Sequence, residues 1–171
     1  MKVVNIVCEY KLLGEIPILN SKKTENFSGF TLKTSAGTCR YYENGYCIVT
    51  GVKEVATADD LIRNNFPNPI ITRRIILITA SGKIPFSFSF SKLLQWHSQN
   101  PDRSNFQYES EIFPAIYWCG AQETIHFFPS GSAILTGFKS VDRVYTVWAE
   151  FLRELYRVYK ECIPESQIQN G

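Results

Sequence analysis

The chain has 171 residues, a mass of 19.6 kDa and a formal net charge of +2. Its 44% of hydrophobic and 20% of charged residues are typical of a packed domain and exclude an intrinsically disordered chain. The small net charge permits nucleic acid as a partner without pointing to it, because strongly electrostatic nucleic-acid binders are more basic.

Cysteine and histidine spacing exclude several kinds of site. The five cysteines form no CxxC pair, and neither histidine lies within six residues of a cysteine. We therefore expect reduced thiols, no metal site and no Cys–His catalyst. The sequence also contains no recognisable phosphate loop, paired-carboxylate site or Ser–His–Asp arrangement, so we expect that the protein is not an enzyme and binds no cofactor. The first apolar run, Val3 to Cys8, is too short to span a bilayer, so we expect no membrane.

Alternating patterns, turn signals and helical spacing predict the following elements in chain order. Two strand triplets are each followed by a helix, and a further helix precedes the second triplet. The Pro67-Asn68-Pro69 segment is predicted to link a first repeat, residues 1–66, to a second repeat, residues 67–171. The predicted strands are Phe27–Thr34, Thr38–Tyr42, Tyr46–Gly51, Ile112–Cys119, Glu123–Phe128 and Ser132–Gly137, and the predicted helices are Thr57–Asn65, Phe90–Ser98 and Val141–Cys162.

An internal repeat relates the two triplets. Residues 27–55 align with residues 113–141 at a constant offset of 86, and eight of the 29 positions are identical. Upstream, Val4-Asn5-Ile6-Val7 resembles Ile76-Leu77-Ile78-Thr79 at an offset of 72, and Ile16-Pro17 resembles Ile84-Pro85 at 68. The first repeat is shorter before the shared block, which predicts a reduced helical layer there. An offset near half the chain indicates a duplicated unit rather than a solenoid.

The period of two along these strands separates two faces. One face is almost wholly apolar and must be covered, most simply by helices. The other face of the six strands is rich in Thr and aromatic residues and contains no Asp or Glu, which is unusual for a solvent-exposed sheet and suits a polyanion. In the last helix, a stripe at helical spacing is predicted to pack on the sheet: Val141, Val144, Tyr145, Trp148, Phe151, Leu152, Leu155, Tyr156 and Tyr159.

Three segments resemble the TATA-binding protein family. Residues 108–114, YESEIFP, resemble its YEPELFPG loop; FPSG at 128–131 with ILTG at 134–137 resembles its IF-x-SGK-x-VLTG run; and Asn5-Ile6-Val7 resembles its opening QNIV strand. The resemblance implies an α+β saddle, in which two pseudo-twofold repeats form one curved antiparallel sheet with helices on the convex face.

The resemblance also implies a function, that of a transcription initiation factor. Such a factor binds and bends AT-rich double-stranded DNA through the minor groove, and recruits a factor IIB-like protein and the RNA polymerase initiation machinery. Its location would be nuclear in a eukaryote, and otherwise cytoplasmic or at a viral transcription site. The alternative is an interaction module of the same fold that has lost consensus TATA binding and acts by protein recruitment.

Site residues carry over from the resemblance position by position. The DNA wedges are Phe27, Tyr42, Phe113 and Phe128. The groove-floor residues are Asn5, Val7, Ile48, Thr50, Thr79, Ile134 and Thr136. Other DNA contacts are Lys33, Arg40, Lys53, His126 and Lys139, and the partner-binding residues are Glu109, Glu111 and Ile112.

Some positions depart from the family pattern, and some residues have a simpler interpretation. Leu77 replaces a second central Asn, Cys119 replaces an Arg, and Tyr46 and Ser132 replace two Lys residues, which removes DNA contacts. The wedge aromatics could instead be core residues, Asn5 could cap a strand end, and Glu109 and Glu111 could be ordinary solvated acids.

Overall fold

The computed structural model describes residues 1–16, 22–23, 29–108 and 115–162. They fall into an N-terminal unit, Val3–Thr79, and a C-terminal unit, Ala80–Gly171 together with Met1–Lys2. This division lies inside a strand, at residues 79/80. The predicted boundary between the two sequence repeats, at residues 66/67, differs from this structural division and stays a prediction.

The N-terminal unit is an antiparallel sheet with one described helix. Its strands, in the order β2-β3-β4-β5-β1-β6, are β1 (Lys2–Leu12), β2 (Lys22–Lys23), β3 (Phe30–Lys33), β4 (Thr38–Tyr41), β5 (Tyr46–Val52) and β6 (Ile70–Lys83). Helix α1 (Val55–Asn65) buries Ala58, Leu61 and Ile62. Asp59 fixes this helix to the sheet, because its carboxylate accepts hydrogen bonds from the Tyr10 hydroxyl at 2.8 Å and from Arg73 at 2.6 Å.

The C-terminal unit repeats this plan with two helices. It contains the end of β6, followed by α2 (Phe90–Gln99), β7 (Phe106–Tyr108), β8 (Ile116–Cys119), β9 (Thr124–Phe127), β10 (Ser132–Phe138) and α3 (Val141–Glu161). The strand order is β6-β10-β9-β8-β7. Phe151 of α3 packs against Phe127 and Trp118, with ring centroids 5.3 and 6.2 Å apart. Burial of these rings gives the unit its hydrophobic core.

The duplication is visible in the elements themselves. Strands β3, β4 and β5 recur as β8, β9 and β10 with both ends displaced by 86 residues, and α1 and α3 begin 86 residues apart. Matching backbone hydrogen bonds connect the end of one strand to a turn glycine. The N–H of Leu12 donates to the Gly45 carbonyl at 2.9 Å, and the N–H of Ile84 donates to the Gly131 carbonyl at 2.8 Å. The upstream offset of 72 therefore continues to Leu12/Ile84, and the pairing of Ile16 with Ile84 is wrong.

The predicted apolar face is buried as expected. Of its described members, only Leu32 is half-exposed, and the others are buried: Phe30, Cys39, Tyr41, Cys47, Val49, Ile116, Trp118, Ile125, Phe127, Ala133 and Leu135. In α3 the predicted stripe is partly wrong, because Tyr145 and Tyr156 are 54% and 48% exposed, whereas Val147 and Val158 are buried. A stripe of nine residues is wider than the arc of a helix that one sheet can cover. Among the described residues, no helix combines the length and apolar composition needed to cross a bilayer.

Two repeat-equivalent glycines produce the same backbone feature in β5 and β10. Gly51 and Gly137 have φ of 81° and 92°. The β1–β5 register shifts next to Gly51, where Cys8 pairs with Val49 but Ile6 pairs with Val52. Side chains with a Cβ are strained at these φ values.

The two glycines differ in the space around them, which gives a matched pair of substitutions. A Cβ on Gly137 would lie 2.6 Å from the Gln122 carbonyl oxygen, whereas the nearest atom to one on Gly51 is 3.8 Å away. We expect Gly51→Ala to lower the free energy of unfolding by about 1 kcal/mol, from backbone strain alone. We expect Gly137→Ala to lower it by about 3 kcal/mol, because the close contact adds to the same strain. Denaturant unfolding of both variants measures this, and equal losses would contradict it.

Candidate nucleic-acid interface

The face of each sheet that the helices do not cover carries the predicted DNA contacts. In the N-terminal unit, antiparallel pairing places Thr38 opposite Thr50 and Arg40 opposite Ile48. In the C-terminal unit, the equivalent pairs are Thr124 with Thr136 and His126 with Ile134. Because directly paired residues point to the same side of a sheet, each unit presents a Thr pair beside an Ile. Ile134 is 44% exposed, which is high for a large apolar side chain.

The other predicted groove-floor residues also lie outside the core. Val7 and Thr79 are half-exposed and alternate with buried neighbours, which are Ile6 and Cys8 in β1, and Ile78 and Ala80 in β6. Asn5 is half-exposed as well, and its amide oxygen accepts the Gly51 N–H at 2.8 Å. Since that oxygen is occupied, the NH₂ group is the part of Asn5 able to donate to a base acceptor.

The predicted wedges Tyr42 and Phe128 occupy equivalent positions at the ends of β4 and β9. The N–H of Tyr42 bonds the Tyr46 carbonyl at 2.9 Å, and the N–H of Phe128 bonds the Ser132 carbonyl at 3.0 Å. Both rings are half-exposed, so neither is a fully buried core residue. The other two wedges, Phe27 and Phe113, lie outside the described residues, as do Glu109, Glu111 and Ile112.

The two faces differ in charge. Strands β8, β9 and β10 contain no Lys, Arg, Asp or Glu. His126 is the one residue of these strands whose side chain can become positively charged. Its ring packs edge-on against Tyr117, with ring centroids 4.7 Å apart, and burial lowers its pKa below the usual 6.5. The N-terminal face instead presents exposed Lys33 and Arg40. Lys53 and Lys139 are exposed after the ends of β5 and β10.

The open side of the N-terminal unit also carries an acid, on a strand outside the six whose open face is predicted to be acid-free. Glu9 of β1 pairs with Ile48 and therefore lies on the open side, where it forms an ion pair with Arg74. The sequence contains a signal for this placement, because residues of β1 alternate and Ile6, Cys8, Tyr10 and Leu12 are all buried.

Comparison with known proteins agrees with this geometry. Residues 74–158 match the sequence model of the family "Transcription factor TFIID (or TATA-binding protein, TBP)". The TBP of Methanococcus jannaschii is similar in structure, with a TM-score of 0.73 over 91% of this chain and 98% of that chain, at 18% sequence identity. The chain is a member of the TATA-binding protein family. No curated protein sequence matches it significantly.

Membership confirms the predicted family and the α+β fold of the TBP type. It makes the chain a transcription factor of the TBP type and not an enzyme. Proteins of the TBP family bind DNA and the transcription machinery. The family model begins within β6 and ends within α3, whereas the structural similarity extends over 91% of the chain.

The environment of His126 gives a prediction about its charge. Because burial disfavours the imidazolium, the folded protein binds fewer protons here than the unfolded chain, and stability from this group is complete above pH 6.5 and declines as pH falls below it. An NMR titration should place the midpoint of His126 below 6.5, with a neutral ring at pH 7.5. A midpoint above 6.5 would show that His126 supplies a positive charge to the open face.

Proposed function

We propose that this TBP-family chain binds AT-rich double-stranded DNA through the minor groove with the open faces of both units. The observation that carries the proposal is the repeat of one constellation at an offset of 86: Thr50, Ile48 and Tyr42 in the N-terminal unit, and Thr136, Ile134 and Phe128 in the C-terminal unit. The minor-groove floor of A·T pairs exposes only acceptors, whereas G·C adds the amino group of guanine. Thr hydroxyls can donate to these acceptors, and apolar Ile side chains leave the amino group of guanine unpaired.

Minor-groove readout has a direct test, since inosine is guanine without the 2-amino group. An I·C duplex therefore resembles A·T in the minor groove and G·C in the major groove. We expect an AT-rich duplex and its I·C counterpart to bind within about threefold of each other, and the G·C counterpart to bind at least about tenfold more weakly. Fluorescence anisotropy over a salt series measures all three. Equal binding of I·C and G·C would rule out the minor groove.

The aromatic rings supply the second part of the proposal, which is bending. A ring inserted between base pairs unstacks them and kinks the duplex, and a kinked duplex contacts more protein surface. Tyr42 and Phe128 support this role by position, since each is half-exposed beside a tight hairpin. In the proposed complex, Phe27 and Phe113 complete the two pairs.

Phe128→Ala should reduce DNA bending and weaken binding on the order of tenfold, because a wedge is lost. Tyr42→Ala should have a smaller effect, because a phenol hydroxyl inserts less readily between bases than a phenyl ring does. Energy transfer between dyes at the duplex ends reports the bend, and Tyr145→Ala, which removes an exposed ring of α3, is the matched control. A large loss of unfolding free energy with unchanged bending would assign Phe128 to the core.

Recruitment of a factor IIB-like protein and the RNA polymerase machinery forms the third part. Glu109, Glu111 and Ile112 combine two acids with an apolar anchor in the YESEIFP segment, a combination that steers and then holds a basic partner. Reversing both charges, Glu109→Arg with Glu111→Arg, should abolish recruitment and leave DNA affinity equal or slightly higher. A gel supershift with the purified IIB-like protein tests this, and recruitment that survives while DNA binding falls would contradict it.

A second candidate function follows from the charge distribution. The C-terminal face lacks formal charge on β8–β10, and the N-terminal face carries Glu9, both of which weaken phosphate attraction. A TBP-fold module that acts by protein recruitment alone would fit these features. It predicts no preference among the three duplexes, and affinities in the nonspecific range of about 10⁻⁴–10⁻⁶ M. For either function we propose a nuclear location in a eukaryotic source, and otherwise a cytoplasmic or viral transcription site.

A further inference from the structure

Glu9 occupies an unexpected place for an acid in this molecule. It lies on the open side of β1, directly opposite Ile48, which is a proposed groove-floor residue. Its side chain is 21% exposed, so it is largely covered by its neighbours, Arg74 among them. A carboxylate at this position repels DNA phosphates unless a cation neutralises it.

The neutralising cation is Arg74 of β6. Its Nε lies within hydrogen-bonding distance of Glu9 Oε1, while the side chain remains 74% exposed. The preceding residue, Arg73, bonds Asp59 of α1 instead, with Nη1 and Oδ2 2.6 Å apart. The two consecutive arginines therefore point to opposite sides of the sheet, as successive side chains of a strand do.

Further along β6 the side chains alternate regularly. Ile78 and Ala80 are buried, and Leu77 and Thr79 are half-exposed, so odd-numbered residues face the open side there. That alternation does not extend back to Arg74, an even-numbered residue whose guanidinium lies against Glu9 on the open side.

An exposed guanidinium next to a groove-floor residue is well placed to bind a DNA phosphate. Paired with Glu9, it cannot do so without leaving an enclosed carboxylate beside the phosphates. The pair as a whole is neutral, so it adds nothing to the counterion release that drives DNA binding. Glu9 thus withdraws one cation from the face.

We propose that Glu9 limits the DNA affinity of the N-terminal face by holding Arg74 away from the phosphate backbone. Glu9 is a positioning residue in this role, since it acts through Arg74. The inference rests on the proposed DNA binding, and it adds to that proposal a residue that reduces affinity rather than providing it.

The test compares four variants of the full chain on the AT-rich duplex at 50 and 200 mM salt. Glu9→Gln releases Arg74 and should add one phosphate contact, so the affinity at 50 mM should rise several-fold. Since one contact steepens the salt slope by about 0.9, this advantage should shrink by about threefold between 50 and 200 mM. Arg74→Gln leaves Glu9 unpaired and should weaken binding, most strongly at low salt.

Two further variants separate this role from a structural one. Glu9→Gln with Arg74→Gln removes both charges and should return the affinity to within about twofold of the starting protein. Arg73→Gln breaks the ion pair on the helix side and should lower thermal stability while leaving the salt slope unchanged. Melting curves on all four variants report folding independently.

The outcomes distinguish the inference from the function on which it rests. If the starting protein prefers the AT-rich duplex but Glu9→Gln leaves affinity and slope unchanged, or lowers affinity, the inference is wrong and DNA binding stands. If the starting protein and all variants fail to prefer the AT-rich duplex, the proposed function falls, and the inference falls with it. A rise for Glu9→Gln with a fall for Arg74→Gln supports both.

Discussion

Burial of one sheet face by helices, with the other face left open, is the constraint on which the molecule depends. Tyr10 and Cys8 face α1 in the N-terminal unit, and Phe127 and Trp118 face α3 in the C-terminal unit. Successive side chains of a regular strand alternate between the two sides, so each buried residue there places its neighbour on the open side. The composition of the open face is therefore free to serve binding, because the opposite face supplies the hydrophobic stabilisation.

The two glycines with positive φ, Gly51 and Gly137, link that constraint to the site. Gly51 has φ of 81°, and its N–H bonds the Asn5 side chain at 2.8 Å, so a backbone irregularity orients a proposed base-reading amide. Gly137 provides the same backbone in the C-terminal unit, but the position equivalent to Asn5 is Leu77. The duplication has thus preserved the backbone geometry and changed the chemistry attached to it.

Much of this arrangement could be predicted from the sequence because two strong signals coincide. The offset of 86 and the alternation in the shared blocks located the ends of β4, β5, β9 and β10 to within one residue. The predicted strands from Phe27 and Ile112 were too long, because β3 and β8 begin at Phe30 and Ile116. Side-chain placement in β6 was beyond such reasoning. Residues 75–78 are four consecutive apolar residues, and a run without alternation does not reveal which side of the sheet each side chain faces. The sequence therefore could not show that Arg74 contacts Glu9 on the open side.

Charge state was the other quantity that the pattern could not give. A histidine at position 126 looks equivalent to Arg40, which lies 86 residues earlier, yet burial lowers its pKa and disfavours its protonation. In the proposed complex, attraction of phosphates therefore falls to the N-terminal face, where Arg40 and Lys33 are exposed. Contacts with the groove floor, made by a Thr pair and the Ile beside it, are available on both faces. A duplicated fold in which only one copy keeps cations on its open strands can lose affinity without losing selectivity, because phosphate contacts position a protein on DNA and groove contacts select the sequence.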